Sequence, residues 1–341
     1  MNLPWAEELA IDVGTSCLHI SVKSGGVVVR EPAVVAYAET RRKPLAFGLE
    51  ARRMLERAVQ GVRVVHPIRN GVIADFDAAV ALIRHFMHQA LGRRPLLSPI
   101  VVTACPTAAT PVEQRLLHDA IRVAGGGRTL VVQKALAAAI GAGLPLDNIE
   151  THLLADIGAG ATDIGALSMG LLSAGASPPL AGDRIDEAIV RHVKRTQGIK
   201  ISATTAEEIK IQVGTVDPLL SGGTNGFSTS SDELQAYDVK MDDLPAVVAD
   251  ALAPIYDEIA WLIEQLPPKA RAELAANGIT LAGGTALVKG LPEHMADWLG
   301  VPVRVATDPM SCTILGLQSI VNDMGALSLE GRRFSYAAPA V

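Results

Sequence analysis

Cysteine is scarce in this 341-residue chain, and the three present, Cys17, Cys105 and Cys312, lie far apart. No pair has redox or metal-ligand spacing, which argues against a disulfide framework or a zinc module and suits a reducing compartment. Charge is sparse too, at 19% of residues against 49% apolar. The net charge of −6 and a pI near 5.8 leave no basic footprint, so no nucleic-acid partner is expected. Long hydrophobic runs are missing. The longest uncharged stretch, Ile164 to Gly182, holds Pro178-Pro179 and four glycines, and reads as a hairpin and loop rather than a membrane-spanning helix. Met1 to Glu8 carries two acids and no basic start, so no signal peptide is expected and a cytoplasmic location is. Walker, H-E-x-x-H and G-x-S-x-G motifs are all absent.

What the chain does have is apolar residues in abundance and glycine-bearing turns behind them. A mean hydropathy of +0.29 argues against disorder and weakly favours buried partner surfaces or a membrane contact. Leu153-Leu154-Ala155 runs into Asp156-Ile157-Gly158-Ala159-Gly160-Ala161-Thr162-Asp163, and Leu9-Ala10-Ile11 runs into Asp12-Val13-Gly14-Thr15-Ser16. A strand that stops on Asp and turns through Gly turns backbone N–H groups toward a phosphate, while the acid can hold a metal or its waters. A third turn, Ala282-Gly283-Gly284-Thr285, follows the apolar Ile279 to Ala282. One such turn is a tight turn and nothing more. Two acid-tipped copies suggest a duplicated α/β domain with a nucleotide clamped between its halves.

Strands and helices alternate elsewhere, which sets the class as α/β. Val27 to Ala36 reads as one strand and Leu49 to Ala58 as a helix. Asp77 is placed to cap a helix through Val80, Ile83, Met87 and Leu91. Thr110-Pro111-x-Glu113 and Thr205-x-x-Glu208 both read as capping boxes, and Asp183 as a further cap. Leu244 to Leu262 marks a long amphipathic helix with a kink expected at Pro254. Ser221 to Ser231 reads as a surface loop. His85 and His88 lie one turn apart without a third ligand, which reads as a helix face rather than a metal site.

These motifs carry a resemblance. Their order is similar to that of the actin, sugar-kinase and heat-shock-chaperone ATPase superfamily, and within it to the bacterial actin homologues of the MreB/Mbl family. The matching stretches are Val28 to Ala36, His66 to Phe76, Leu136 to Pro145, Asp156 to Asp163, Gly182 to Ile189, Thr204 to Ile211 and Leu281 to Leu291. The resemblance implies duplicated actin-like, ribonuclease H-like domains around a central nucleotide cleft. Residues 1–145 would form the first, with a small subdomain near 30–66. Residues 146–330 would form the second, with a small subdomain near 183–240, and 331–341 a tail. It implies ATP with Mg2+ as cofactors. Self-association into filaments, the inner membrane surface, and cell-wall synthesis and shape proteins are the implied partners. The implied location is the cytoplasmic face of the cell membrane, peripherally bound.

Carried onto this chain, the resemblance makes Asp12, Gly14, Thr15 and Ser16 the first phosphate loop, and Asp156, Gly158, Gly160 and Thr162 the second. Asp12 and Asp156 would hold magnesium, mostly through water. Glu207 and Lys210 would lie beside ribose and base, Gly283, Gly284 and Thr285 beside the adenine, and Gly182 and Asp183 at the closing edge of the cleft. On their own, Glu207 and Lys210 read as an exposed ion pair on a helix. Departures bear on turnover. Cys17 and Leu18 stand where the family has Asn and Thr, Ala161 where it has Thr, and Gln133-Lys134-Ala135 where it has Glu-Glu-Pro. Gln133 and Asp156 are the catalytic candidates, and Gln133 orients water without taking a proton. Lys134 is expected either to pair with phosphate or to point to solvent. Nucleotide binding with slow or absent hydrolysis is therefore expected. A non-polymerising nucleotide-binding scaffold and a small-molecule kinase of the same superfamily are the alternatives. Gly92-Arg93-Arg94-Pro95-Leu96-Leu97 sets two leucines beside two arginines, so Leu96 and Leu97 are membrane-contact candidates, or else the start of the next strand.

Overall fold

The computed structural model describes residues 6–23, 25–39, 43–57, 59–92, 97–217, 227–228, 238–239 and 243–330, with 227–228, 238–239 and 325–330 by backbone alone. The expected 221–231 loop falls almost wholly outside these residues, and the expected 331–341 tail entirely so.

In chain order the first elements are β1 (Glu8–Val13), β2 (Cys17–Val22), β3 (Gly26–Pro32), β4 (Val35–Ala38), β5 (Pro44–Phe47) and α1 (Gly48–Glu56). β6 (Val62–Val65), β7 (Ile68–Arg69), β8 (Val72–Ile73), α2 (Phe76–Leu91), β9 (Ile100–Cys105), α3 (Pro111–Ala124), β10 (Thr129–Gln133) and α4 (Lys134–Gly141) follow. Then come β11 (His152–Ile157), β12 (Thr162–Ser168), β13 (Leu171–Ala176), α5 (Gly182–Gln197), α6 (Ala203–Val213), β14 (Phe227–Ser228) and β15 (Asp238–Val239). α7 (Leu244–Gln265), α8 (Pro268–Asn277), β16 (Ile279–Ala282), α9 (Leu291–Leu299), β17 (Val303–Val305) and α10 (Cys312–Glu330) close the chain.

Two five-stranded sheets share one topology. The first runs β10-β9-β1-β2-β3, the second β17-β16-β11-β12-β13. In each, the acid-tipped strand pairs antiparallel with the strand after it and parallel with a later one: β1 with β2 and β9, β11 with β12 and β16. The duplication legible in the two Asp–Gly motifs is thus a duplication of sheet order. The helices α4 and α10 lie between the sheets in one apolar cluster that takes Ala10 and Val102 from the first and Leu154 and Ala282 from the second.

Several local expectations are corrected. The strand expected over Val27 to Ala36 breaks after Pro32, because Pro32 has no N–H to donate and the Ala33 N–H turns to the Ser16 carbonyl. β4 then joins a separate three-stranded sheet with β5 and β6. Asp75, not Asp77, caps α2, its Oδ1 accepting from the Ala78 N–H at 3.0 Å. Ser202 caps α6 and Thr205 sits one turn inside, donating its N–H to the Ser202 hydroxyl at 3.0 Å. Ala181 occupies the cap of α5, which leaves Asp183 in its first turn. The Thr110–Glu113 box forms as expected, with both reciprocal bonds present. α7 continues through Pro254. A proline there loses one backbone bond, a cost of about 3 kcal/mol. Burial of Val248, Leu252, Ile255, Ile259 and Leu262 on both sides of it outweighs that cost.

Candidate functional site

The site forms where the two sheets present their acid-tipped strands to each other. Asp12 lies near the end of β1 and Asp156 near the end of β11, both under 10% exposed. The first loop is closed by the Gly14 N–H, which donates to the Cys17 carbonyl at 2.9 Å. A Cβ at Gly14 would sit 2.8 Å from that carbonyl oxygen, so the turn admits only glycine. The second loop is closed alike, the Gly158 N–H donating to the Ala161 carbonyl at 3.1 Å.

The two loops touch. A Cβ at Gly160 would lie 2.7 Å from the Thr15 side chain and 3.0 Å from the Asn70 nitrogen. Thr15 is itself tied down, its hydroxyl accepting from the Gly71 N–H at 3.0 Å. On the second half, the Thr285 hydroxyl donates to the Gly158 carbonyl at 2.8 Å, and the Gly182 N–H donates to the same carbonyl at 3.1 Å. Gly283 holds φ +84°, and a side chain there would strike the Asp156 carboxylate, whereas Gly284 opens onto free space. Thr15, Gly158, Gly160, Gly182, Lys210, Gly283, Gly284 and Thr285 are therefore neighbours along one cleft.

Some expected residues take other parts. Thr162 is fully buried and its hydroxyl donates to the Leu180 carbonyl, so it braces the loop from behind. Ser16 contributes its carbonyl to the Ala33 N–H. Asp183 is exposed in the first turn of α5. Glu207 and Lys210 do not pair with each other. Lys210 Nζ bonds Asp186 Oδ2 at 2.8 Å and the Gly182 carbonyl at 3.3 Å, while Glu207 reaches Arg52 of α1 at 2.6 Å. Gln133 ends β10, and its side chain makes no hydrogen bond among the described residues.

Lys134 is the residue whose position the sequence left open. It begins α4, and its Nζ sits 3.8 Å from Asp156 Oδ2. Burial alone would drive its ammonium toward neutrality. The carboxylates of Asp156, Asp12 and Asp163 outweigh that and hold it charged. Burial likewise raises Asp12, but Lys134 and His19 more than reverse it and keep that carboxyl below its usual range. At Asp156, burial, together with the nearby Asp163 and Asp12, wins over Lys134 and the Thr313 hydroxyl, and its carboxyl is raised. One cation thus serves both acid-tipped strands. Magnesium, expected between these carboxylates, fits poorly: Lys134 and the Thr313 hydroxyl already face Asp156, the Thr107 N–H and the Ser177 hydroxyl hold Asp163, and His19 lies beside Asp12.

A family model described as MreB/Mbl protein matches residues 6–328. A cell shape-determining protein Mbl of Bacillus subtilis is 34% identical over 95% of this chain and 98% of its own length. The chain belongs to the MreB/Mbl family. A cell shape-determining protein MreB of Escherichia coli is 32% identical, over 92% of each chain. The solved structure of MreB5 of Spiroplasma citri bound to ADP superposes with a TM-score of 0.86 at 27% identity, over 96% of this chain and 99% of that one. A MamK double helical filament, at TM-score 0.76 and 21% identity over 96% and 99%, shares the fold. The architecture is therefore actin-like: two related α/β halves around a cleft.

Within this MreB/Mbl chain the Arg52–Glu207 bond spans the cleft, joining α1 of the first half to α6 of the second. Arg52 also bonds Glu56 at 3.1 Å. Both partners keep over a quarter of their side-chain surface exposed, so water screens the pair and it contributes about 1 kcal/mol or less. A melting double-mutant cycle with Arg52→Ala and Glu207→Ala is expected to give a coupling below about 1 kcal/mol. A coupling several times larger would mean that the cleft is locked shut by this contact. Of the membrane-contact candidates, Leu96 lies outside the described residues, while Leu97 is 40% exposed just before β9. Among the described residues, no helix is long and apolar enough to cross a membrane.

Proposed function

We propose that this MreB/Mbl chain is an ATP-binding cytoskeletal protein that polymerises into filaments. Its filaments lie against the inner face of the cell membrane and organise cell-wall synthesis and cell or spore shape. The observation that carries this reading is the meeting of the two acid-tipped glycine loops, Gly160 against Thr15, in a cleft lined from both halves. Loops of this kind offer backbone N–H groups to phosphate oxygens, and glycine lets the phosphate approach the backbone. Gly284 opens the cleft on the side expected to take the adenine, and Lys210 and Glu207 line the side expected to take the ribose.

The residues that would drive hydrolysis are weakened. Gln133 hydrogen-bonds water without accepting a proton, and Ala161 offers no hydroxyl. Losing one contact to the transition state costs about 3 kcal/mol, roughly a hundredfold in rate. ATP therefore acts as a ligand that sets subunit geometry, turned over slowly or not at all. Residues 1–145 and 146–330 act as the two bodies that ATP draws together. Leu96 and Leu97 enter the lipid interface, with Arg93 and Arg94 beside anionic headgroups.

Ultracentrifuge pelleting and negative-stain microscopy of the purified chain, with and without ATP, test the reading. Filaments that pellet with ATP are expected. A chain that binds ATP yet stays monomeric at high concentration would be the non-polymerising scaffold instead.

A further inference from the structure

We infer that the Lys134 ammonium stands in place of the divalent cation, so that this chain holds ATP without magnesium. The inference rests on the proposed nucleotide reading and concerns the counter-charge of that same cleft.

Three carboxylates meet below the two loops: Asp12, Asp156 and Asp163, each under 10% exposed. A bare triphosphate brought to three buried acids would be repelled, so some cation must accompany it. Lys134 is built into that position. Its stem begins α4 and its Nζ lies 3.8 Å from Asp156 Oδ2. Of the other basic groups, Lys210 pairs with Asp186 and Arg52 with Glu207, while His19 lies against Asp12 alone.

The carboxylates are also poorly disposed toward a metal. Asp156 Oδ2 already accepts from the Thr313 hydroxyl at 2.9 Å. Asp163 Oδ1 accepts from the Thr107 N–H at 2.7 Å and from the Ser177 hydroxyl at 2.6 Å. Asp12 Oδ2 has His19 Nδ1 at 3.7 Å. Magnesium demands a near-ideal octahedron of oxygens and gives up water reluctantly. An ammonium makes no such demand: it is a compact point charge with three donors on a flexible stem, a geometry suited to phosphate oxygens.

The test is calorimetric titration of ATP into the wild-type chain and into Lys134→Met, each with magnesium and with EDTA. Met keeps the length of the stem and removes the charge, and circular dichroism checks that the variant folds. Wild-type affinity is expected to change less than about threefold on EDTA, and Lys134→Met to lose about a hundredfold in EDTA. A wild-type loss above about tenfold on EDTA overturns the inference. A second arm uses manganese alone, read by electron paramagnetic resonance on nucleotide-free protein. The wild type is expected to take up none. One bound ion per wild-type chain overturns the inference, even if Lys134→Met fails to fold. If ATP binds under no condition, the proposed nucleotide function fails, and the manganese arm still decides the charge question by itself.

Discussion

Gly141→Ala is expected to lower the stability of the chain by about 3 kcal/mol or more, the upper range for overpacking a core. Gly141 ends α4 where it crosses α10, and a Cβ there would land within the radius of the Cys312 carbonyl oxygen and close to the Gly316 nitrogen. The obstacle is backbone, so no rotamer change relieves it and the helices must part. Gly316 is the reciprocal position, its Cβ landing on the Ala137 carbonyl. Because α4 and α10 lie in the cluster fed by both sheets, parting them loosens the joint between the halves as well as the local packing. A fall in melting temperature of about 4 °C or more is expected for either substitution. Gly284→Ala is the control: apart from its chain neighbours, no heavy atom of the described residues lies within 4 Å of its Cβ position, and its melting temperature is expected to stay close to wild type. Equal melting temperatures for Gly141→Ala and Gly284→Ala would contradict this account of the joint.

Gly160→Val should cost nucleotide affinity far more than stability. The added side chain wedges between Thr15 and the Asn70 backbone, where the two loops touch, and holds them apart. ATP bound by both loops then keeps contact with only one, for a loss of about a hundredfold or more in affinity measured by calorimetry. Melting without nucleotide is expected to fall by a few degrees, the cost of overpacking one buried contact against the Thr15 side chain and the Asn70 backbone. Affinity within threefold of wild type would mean that phosphate does not sit between the loops.

The parts of this molecule that could be read in advance were those written locally. Asp12 and Asp156 announced themselves by an apolar run ending on Asp and Gly, a pattern that needs no distant partner. The Thr110–Glu113 box was equally local, with Pro111 fixing its frame. Frames without such a marker were ambiguous. Asp75 and Asp77 are two acids at one helix start, and only the backbone decides that Asp75 reaches the Ala78 N–H. Thr205 read as a cap from its box pattern, but Ser202, three residues earlier, takes that place. The strand break at Pro32 was visible as a proline, yet its consequence depended on where the Ala33 N–H found an acceptor.

What could not be read was written between distant segments. Lys134 looked free to meet phosphate or solvent, because the acids that hold it come from β1, β11 and β12. Arg52 and Glu207 are 155 positions apart, and Glu207 alone suggested a partner three residues away on its own helix. Nothing local marks Gly141 or Gly316, and only the crossing of α4 over α10 gives them a reason. The site's sequence signal lay in its glycines and acids, while its balance of charge emerged only from the fold.

The central claim, that two acid-tipped strands grip one nucleotide between them, is tested most directly by calorimetric titration of ATP into the purified wild-type chain. The account predicts saturable binding of one ATP per chain. No binding by the folded chain would contradict it.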